Sequence, residues 1–383
     1  MNFGGGYFFA DSATIKRKGE NIMNDEHFLM WLTRIDGIGN KKLRLLLENF
    51  DTAKDIWTAP KNVLESIQGL TSNNIYNIIK SRDETLMDSY ISEMEKKNIR
   101  FISLYNRNYP PLLQMIPDPP IGIYILGNYP LKDEIFVSII GSRKCTEYGR
   151  TSAYRLAKDL AAKDVVIVSG LAKGIDAMAH QGAVDAGGVT IAVLGCGVDI
   201  CYPLENHKLR SKILERGCLI SEFPPATEPH PSYFPLRNRI ISGLSRAVVV
   251  AEATRKSGTS ITVGQALDQG REVLAIPGKI TSKWSEGTND LIQQGAGLVS
   301  SAQDVLDALG IFQSISKKSE LQNLESLAPD EKLVYDCISF NPITIDEIIT
   351  VTGSNLPAVN YILVLLEIKG RIKKLQGQRY VRS

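Results

Sequence analysis

The middle of the chain alternates short apolar runs with longer amphipathic stretches, and this alternation constrains the fold more than any other feature. The runs are rich in Val and Ile and nearly continuous, as expected of strands buried on both faces of a sheet. They occupy residues 136–140, 165–168, 190–194, 218–220, 247–250 and 272–276. Because the stretches between them have helical periodicity, the sequence predicts a doubly wound α/β sheet.

The pattern changes on both sides of this region and predicts further domains. Residues 25–104 repeat apolar side chains at three- and four-residue steps, which indicates an N-terminal helical domain before the α/β domain at 105–310. Residues 311–326 are polar and predict a linker. Residues 327–383 have the outline of a winged helix, and residues 1–24 are expected to form a disordered leader.

Two smaller patterns refine the flanking domains. Gly37 and Gly39 separate two helical stretches, a spacing that resembles a helix-hairpin-helix or SAM-like arrangement. Such glycines can expose backbone N–H groups to a DNA phosphate, but an ordinary helix corner also needs glycine for positive φ. In the winged helix, helices are predicted at 330–339, 344–350 and 356–368, with strands at 372–375 and 380–381 around Gly377.

Composition argues against several classes of protein. No apolar run approaches the ~20 residues of a membrane-spanning helix, and the N-terminus lacks a secretory pattern. The five cysteines form no Cys-x-x-Cys pair and have no histidine cluster beside them, so reduced thiols are expected rather than a metal site. These observations predict a cytoplasmic protein without a membrane partner.

Loops that follow four of the predicted strands contain residues suited to binding an anion. Ligands of open parallel sheets bind at the carboxyl ends of the strands, where glycines and helix N-termini present backbone N–H groups. The candidate phosphate-binding residues are Gly141, Ser142 and Arg143, then Gly170, Lys173 and Gly174, and finally Ser257, Gly258 and Thr259. A further glycine-rich loop, Gly195-Cys196-Gly197, follows the third strand.

The familiar nucleotide-binding signatures are missing from these loops. The first strand is not followed by Gly-x-Gly-x-x-Gly, which disfavours a nicotinamide or flavin dinucleotide. The sequence also lacks a Gly-Lys-Ser/Thr P-loop, so it shows no apparatus for ATP hydrolysis. No cofactor is predicted, and the phosphate-bearing ligand must be of another kind.

Aromatic and cationic residues at 230–239 indicate what that ligand is. Phe234 lies close to Arg237, Asn238 and Arg239. An aromatic ring can stack on a base while the polar side chains contact phosphates, and such stacking requires unpaired bases. The segment therefore predicts single-stranded nucleic acid, although Phe234 could instead pack beneath the sheet.

These residues belong to an ordered series of motifs over about 150 residues that resembles the DprA/Smf family. The series includes Gly141-Ser142-Arg143, the segment 169–176, Tyr202-Pro203, the segment 234–244 and Ser257-Gly258-Thr259. The resemblance implies an extended Rossmann-like domain that dimerises, binds single-stranded DNA and loads RecA recombinase onto it during natural transformation. Little sequence preference is expected, because these motifs show no evident hydrogen bonds to base edges.

The resemblance also assigns roles to individual residues. Arg143 resembles the principal DNA-contacting arginine of the family, and Lys208 is a further candidate for contact with the DNA backbone. Lys173, Gly174, Arg237, Asn238 and Arg239 fall in matching motifs. The family is not expected to act as an enzyme.

Carboxylates near the same edge raise the question of catalysis. Asp176, Glu222 and Glu252 could suggest acid–base chemistry, but a carboxylate repels phosphate, so capping a helix or fixing an arginine is the better interpretation. His180 is expected to pack within a helix.

Two other functions remain alternatives. One is a nucleotide phosphoribohydrolase, although Thr262 stands where those enzymes have the catalytic glutamate. The other is a transcription regulator that acts through the winged helix at 327–383.

Overall fold

The structure is a computed structural model that describes residues 23–129, 134–255, 257–311, 328–339, 343–369, 371–375 and 378–382. The chain divides into two compact units, Met1–Gly310 and Ile311–Ser383. The predicted leader up to residue 22 and the predicted linker from residue 312 onward lie outside the described residues.

A nine-stranded sheet organises the described part of the first unit. All six predicted apolar runs form strands, and these strands pair in parallel with one another. They are β3 (Ile135–Ile140), β4 (Val165–Ser169), β5 (Thr190–Val193), β6 (Cys218–Ser221), β7 (Ala247–Val250) and β8 (Glu272–Ala275). The prediction of a parallel α/β sheet is confirmed, because each run lies almost wholly in the core.

Three strands of this sheet were absent from the sequence prediction: β1 (Ile99–Ser103), β2 (Gly122–Gly127) and β9 (Gly297–Leu298). The assignment of residues 99–103 to a helical region was wrong, because β1 pairs antiparallel with β2, and β2 pairs antiparallel with β6. Residues 99–103 carry apolar side chains at a spacing that is compatible with either a helix or a strand, so periodicity alone does not separate the two.

The strand order places a topological switch point at the centre of the sheet. The order is β1-β2-β6-β5-β4-β3-β7-β8-β9. The chain moves outward from β3 through β4 and β5 to β6, and then returns to place β7 on the other side of β3. The loops that leave β3 and β7 therefore diverge and open a crevice at the carboxyl ends of the strands.

Helices cover both faces of the sheet. One face carries α8 (Glu147–Ala161), α9 (Ile175–Asp185) and α10 (His207–Arg216), which pack on one another and on the strands. The other carries α7 (Pro111–Gln114), α11 (Tyr233–Leu244) and α12 (Thr259–Asp268). Near the end of the unit lie α13 (Glu286–Gln293) and α14 (Ala302–Ala308). This arrangement confirms a doubly wound fold.

The N-terminal helices share a hydrophobic core with one face of the sheet. They are α1 (Asp25–Thr33), α2 (Asn40–Asn49), α3 (Ala53–Thr58), α4 (Lys61–Glu65), α5 (Ser72–Lys80) and α6 (Glu84–Lys96). Trp31 packs edge-on against Trp57 with ring centroids 4.8 Å apart, and the same core reaches Ile213 of α10. These helices therefore belong to the same compact unit as the sheet.

The glycines between α1 and α2 form the corner that the sequence indicated. Gly37 has φ of +76°, a conformation that favours glycine. Its carbonyl oxygen accepts a hydrogen bond from Asn74 Nδ2 at 3.1 Å, which joins this corner to the start of α5. Gly39 precedes α2 and is exposed.

The second unit has the three helices and two strands of the predicted winged helix, together with a short strand, β10 (Ile343–Thr344), that was not predicted. Its helices are α15 (Pro329–Cys337), α16 (Ile345–Thr352) and α17 (Leu356–Ile368), and its strands are β10, β11 (Ile372–Leu375) and β12 (Arg379–Arg382) in the order β10-β12-β11. Val334, Ile348 and Leu366 pack in its core with Tyr380 of β12. Gly377, the centre of the predicted wing, lies outside the described residues.

The described residues contain neither a single membrane-spanning helix nor a cluster of metal-ligating side chains. No single helix there is long and apolar enough to cross a membrane; α16 and α17 would meet that criterion only as a pair, and they are bent by 112°. The same residues contain no cluster of three or more His, Cys, Asp or Glu side chains that could hold a metal ion.

Candidate nucleic-acid interface

A groove of about 660 Å³ opens at the switch point, between the loops that follow β3 and β7. We call it the main groove. Nine of the predicted site residues line it: Gly141, Ser142, Arg143, Phe234, Arg237, Asn238, Ser257, Gly258 and Thr259. A cavity of about 80 Å³, the inner cavity, shares Arg143, Phe234 and Arg237 with the main groove and adds Gly170 and Lys173.

The loop after β3 is held in place by backbone contacts. The Ser142 N–H donates to the Glu252 carbonyl oxygen at 2.8 Å. Gly174 precedes α9 with φ of +81°, and a Cβ at this position would lie 2.5 Å from the Ser142 oxygen. Glycine is therefore required for the two loops to approach each other, and this approach positions Arg143 at the mouth of the groove.

Arg143 lies over an aromatic pair. Its guanidinium carbon is 5.2 Å from the centroid of the Phe234 ring, and Phe234 stacks on Tyr202 with centroids 5.5 Å apart and an interplanar angle of 29°. Gly195 lets the chain pass close to the ring, since a Cβ there would be 2.9 Å from Phe234. Phe234 is therefore half-buried beside the groove rather than packed beneath the sheet, and Tyr202 is 42% exposed. We call Tyr202 and Phe234 the aromatic platform.

Arg237 forms part of the wall of the groove but is itself 4% exposed. Its Nη1 donates to the carbonyl oxygens of Gly170, at 2.8 Å, and Val193, and so joins the carboxyl ends of β4 and β5. Burial lowers the pKa of Arg237 to about 10, which leaves it charged at neutral pH. Its positive charge therefore lies at the groove, although the guanidinium already has protein partners.

Asp176 stabilises the loop around this arginine. Its Oδ2 accepts from the backbone N–H of Gly170 at 3.2 Å and of Ala172 at 3.4 Å. Burial raises the pKa of this carboxyl, and the nearby Arg237 charge opposes the rise. The position of Asp176 is thus explained by loop geometry.

The other two carboxylates also have structural partners. Glu252 accepts from the Thr146 N–H and hydroxyl, both at 2.7 Å, at the start of α8. Glu222 accepts from both terminal nitrogens of Arg239 at 2.7 and 2.6 Å. His180 lies in the core, where its Nδ1 is 2.7 Å from the Thr190 hydroxyl and burial lowers its pKa to about 3.

Three predicted residues line neither the main groove nor the inner cavity. Gly174 lies behind the loop after β3, and Lys208 is exposed in the first turn of α10. Arg239 lines a different groove and is 7% exposed. Lys173 does line the inner cavity, but its amine pairs with Glu205. Direct phosphate contact by these residues stays a prediction.

The main groove also contains residues that were not predicted to contact a ligand. Tyr202 lay within a recognised motif, but only the fold shows that it stacks on Phe234. Lys144 directly follows Arg143, and Trp284 comes from a single 3-10 turn at Lys283–Ser285. The cation beside Arg143 was visible in the sequence, whereas nothing local marked Trp284.

Comparison with known proteins agrees with this architecture. Residues 100–310 match the family described as DNA recombination-mediator protein A, and residues 318–378 match the DprA winged helix domain. Protein Smf from Synechocystis sp. is 32% identical over 391 aligned positions, which cover 93% of this chain and 98% of that protein.

Similarity to Streptococcus pneumoniae DprA extends to a solved structure. The DNA processing protein DprA of that organism is 44% identical over 219 residues, which are 57% of this chain and 77% of that protein. Its X-ray structure covers 73% of this chain and 97% of its own, with 34% identity and a TM-score of 0.63. The chain therefore belongs to the DprA/Smf family of DNA-processing proteins.

Proposed function

We propose that this protein binds single-stranded DNA in the main groove, without strong sequence preference. The observation that carries the proposal is the aromatic platform beneath Arg143 at the switch point. A cation over an aromatic pair, in a crevice bordered by glycine-rich loops, offers phosphate and base contacts at one place. Single strands can use both kinds of contact, because their bases are unpaired.

The chemistry of the groove supports weak sequence preference. Cations at Arg143 and Lys144, hydroxyls at Ser257 and Thr259, and aromatic ring faces line it. These groups contact phosphates and the faces of bases, which all four nucleotides share, whereas sequence is read from hydrogen-bonding base edges. Affinity should therefore depend strongly on salt and only weakly on sequence.

No covalent chemistry is part of this proposal. Asp176, Glu222 and Glu252 are each engaged in holding loops, a helix start or an arginine. Thr262 lines the groove where a phosphoribohydrolase would have its glutamate, which argues against that alternative. A duplex-reading regulator is also disfavoured, because residues 345–367 contain three acids and no Lys or Arg.

The proposal also covers the cellular role of the protein. We infer that the bound strand is passed to RecA recombinase during natural transformation, that the protein works as a homodimer, and that it does so in the cytoplasm. The match to a family described as a recombination mediator supports the first of these. The others rest on the resemblance to the family.

Binding should be tested by fluorescence anisotropy with labelled oligothymidylate, a matched duplex and a mononucleotide, each titrated at several salt concentrations. We expect tight binding of the single strand, weaker binding of the duplex and no turnover of the mononucleotide. Tyr202→Ala should weaken single-strand binding roughly 5- to 150-fold, the range for losing one stacked base. Failure to bind oligothymidylate at low salt, or cleavage of the mononucleotide, would overturn the proposal.

The RecA step needs its own assay. RecA filament formation on single strands coated with single-strand-binding protein should be faster when this protein is added. Arg143→Ala should lose the effect at concentrations where it no longer binds DNA. If the native protein leaves the rate of RecA filament nucleation unchanged, the proposal of RecA loading is refuted, but the proposal of DNA binding is not. Light scattering would test the dimer separately.

A further inference from the structure

A second groove, of about 480 Å³, lies on the same carboxyl edge of the sheet as the main groove. We call it the side groove. One wall consists of residues 222–224, which follow β6, and another consists of residues 120–122 at the start of β2. The corner between α1 and α2, residues 37–42, closes the third side.

The order of the strands aligns the cavities along one edge. The main groove lies at β3 and β7, the inner cavity at β4 and β5, and the side groove at β6 and β2. Adjacent strands are about 4.8 Å apart, so the centre of the inner cavity and that of the side groove are separated by about two strand spacings, or about 10 Å. A flexible strand can span such a step within a few nucleotides.

A second stacked aromatic pair borders the side groove. Phe223 and Tyr233 stack with centroids 4.3 Å apart and an interplanar angle of 25°. Tyr233 directly precedes Phe234 in α11, so two consecutive residues contribute rings to two stacked pairs. Phe223 lines the side groove and is half-buried, so its ring borders the groove.

The charges around the side groove favour an anionic ligand. Its two carboxylates, Asp118 and Glu222, both pair with Arg239 at 3.1 and 2.6 Å. Lys41 is exposed at the groove, while the Lys42 amine donates to Asn74 Oδ1 at 2.8 Å. The lining has three cations and two carboxylates. Asp118 also pairs with Arg44 at 3.6 Å, so the two arginines balance the two carboxylates and the lysines leave an excess of positive charge.

We propose that the side groove binds the continuation of the single strand held in the main groove, with Phe223 stacking on a base and Lys41 pairing with a phosphate. This inference rests on the proposed function, because it extends the same DNA path. It gives the corner between α1 and α2 a part in DNA binding. The N-terminal helices then lengthen the binding site rather than only supporting the sheet.

A length series of oligothymidylates separates the two sites. The full-length protein should bind short oligomers through the main groove alone and gain affinity as the oligomer reaches the side groove. Lys41→Ala should leave the shortest bound oligomer unaffected, and should flatten the salt slope for longer oligomers by about 0.7. Phe223→Leu keeps an apolar side chain but removes the ring, and should weaken long-oligomer binding roughly tenfold.

Matched controls make the result specific. Lys54→Ala removes an exposed lysine of α3 that does not line the side groove, and should change neither affinity nor slope. A second readout places a single 5-iodouracil at successive positions along a long oligomer. Only positions near one end of the oligomer should crosslink to the peptide that contains Phe223. This readout uses the unmodified protein, so it does not depend on how the variants fold.

Three possible outcomes decide whether the single strand continues into the side groove. Length-dependent losses in Lys41→Ala and Phe223→Leu, with a crosslink at Phe223, support the extended path. Unchanged affinity of both variants for long oligomers, or equal losses at every length, overturns it and leaves the main-groove proposal intact. Absence of binding by the native protein at any length refutes the proposed function and this inference with it.

Discussion

Replacing Arg143 by alanine tests the central contact of the main groove. The side chain is exposed, and its guanidinium lies over the Phe234 ring at 5.2 Å. The backbone of its loop is anchored independently, through the Ser142 N–H to Glu252. Truncation at Cβ should therefore remove a ligand contact without disturbing the loop, and should change the free energy of unfolding by no more than about 0.5 kcal/mol.

The loss of affinity can be worked from the contact that disappears. A hydrogen bond between charged groups contributes about 1.5–3 kcal/mol, which corresponds to roughly a 10- to 150-fold increase in Kd. One phosphate contact fewer should also flatten the dependence of log K on log salt by about 0.7 for a single strand. The increase in Kd and the flatter salt dependence should appear together in this variant.

The assay is anisotropy with labelled oligothymidylate at four or more salt concentrations, with urea unfolding of each variant alongside. Arg143→Lys keeps the charge but loses the planar fork, so it should retain the native slope with an intermediate affinity. Arg150→Ala, which removes an exposed arginine of α8 outside the groove lining, serves as the charge-matched control. Native affinity and slope in Arg143→Ala would refute the assignment, as would an equal effect in Arg150→Ala.

Three further predictions concern the residues that hold the site together. Arg239→Ala should lower the free energy of unfolding by about 3–5 kcal/mol in urea titrations, because it leaves the Glu222 carboxylate, whose side chain is only 13% exposed, without its arginine partner. A loss below about 1 kcal/mol would contradict this. Gly174→Ala should lower the free energy of unfolding by about 1–3 kcal/mol and weaken DNA binding, because φ is +81° there and the added Cβ would meet backbone atoms. Native stability of this variant would show that the two loops can move apart without cost. His180 has its folded pKa lowered to about 3 by burial, so the unfolded state takes up the proton first and stability should fall as pH drops from about 6.5 toward 3. His180→Gln should reduce that fall, and an unchanged pH profile of unfolding would exclude the histidine as its source.

Much of the α/β domain could be predicted because its strands are buried on both faces. Such strands need apolar side chains at nearly every position, so each leaves a continuous Val- and Ile-rich run. The edge strand β1 was missed because it has no such continuous apolar run. Ile99 and Ile102 are buried but the residues between them are not, a spacing equally suited to a helix.

In the candidate site, too, some features could be predicted from local sequence and others depend on the tertiary structure. Glycine-rich loops after the strands were recognisable one by one, because tight strand-to-helix turns require those residues. Their convergence depends on the order of β3, β4 and β7 in the sheet, which follows from long-range pairing. Trp284 reaches the groove from a separate segment and has no local signature.

The sequence by itself determined the class of fold, the winged helix and the family, since each rests on residue types whose spacing is set by local backbone geometry. Only the tertiary structure decided which cations face the groove. Arg237 and Arg239 are two residues apart in one motif, but two residues turn a helix by about 200°. One guanidinium therefore lies at the groove wall, bonded to the carbonyls that end β4 and β5, and the other pairs with Glu222 in the side groove.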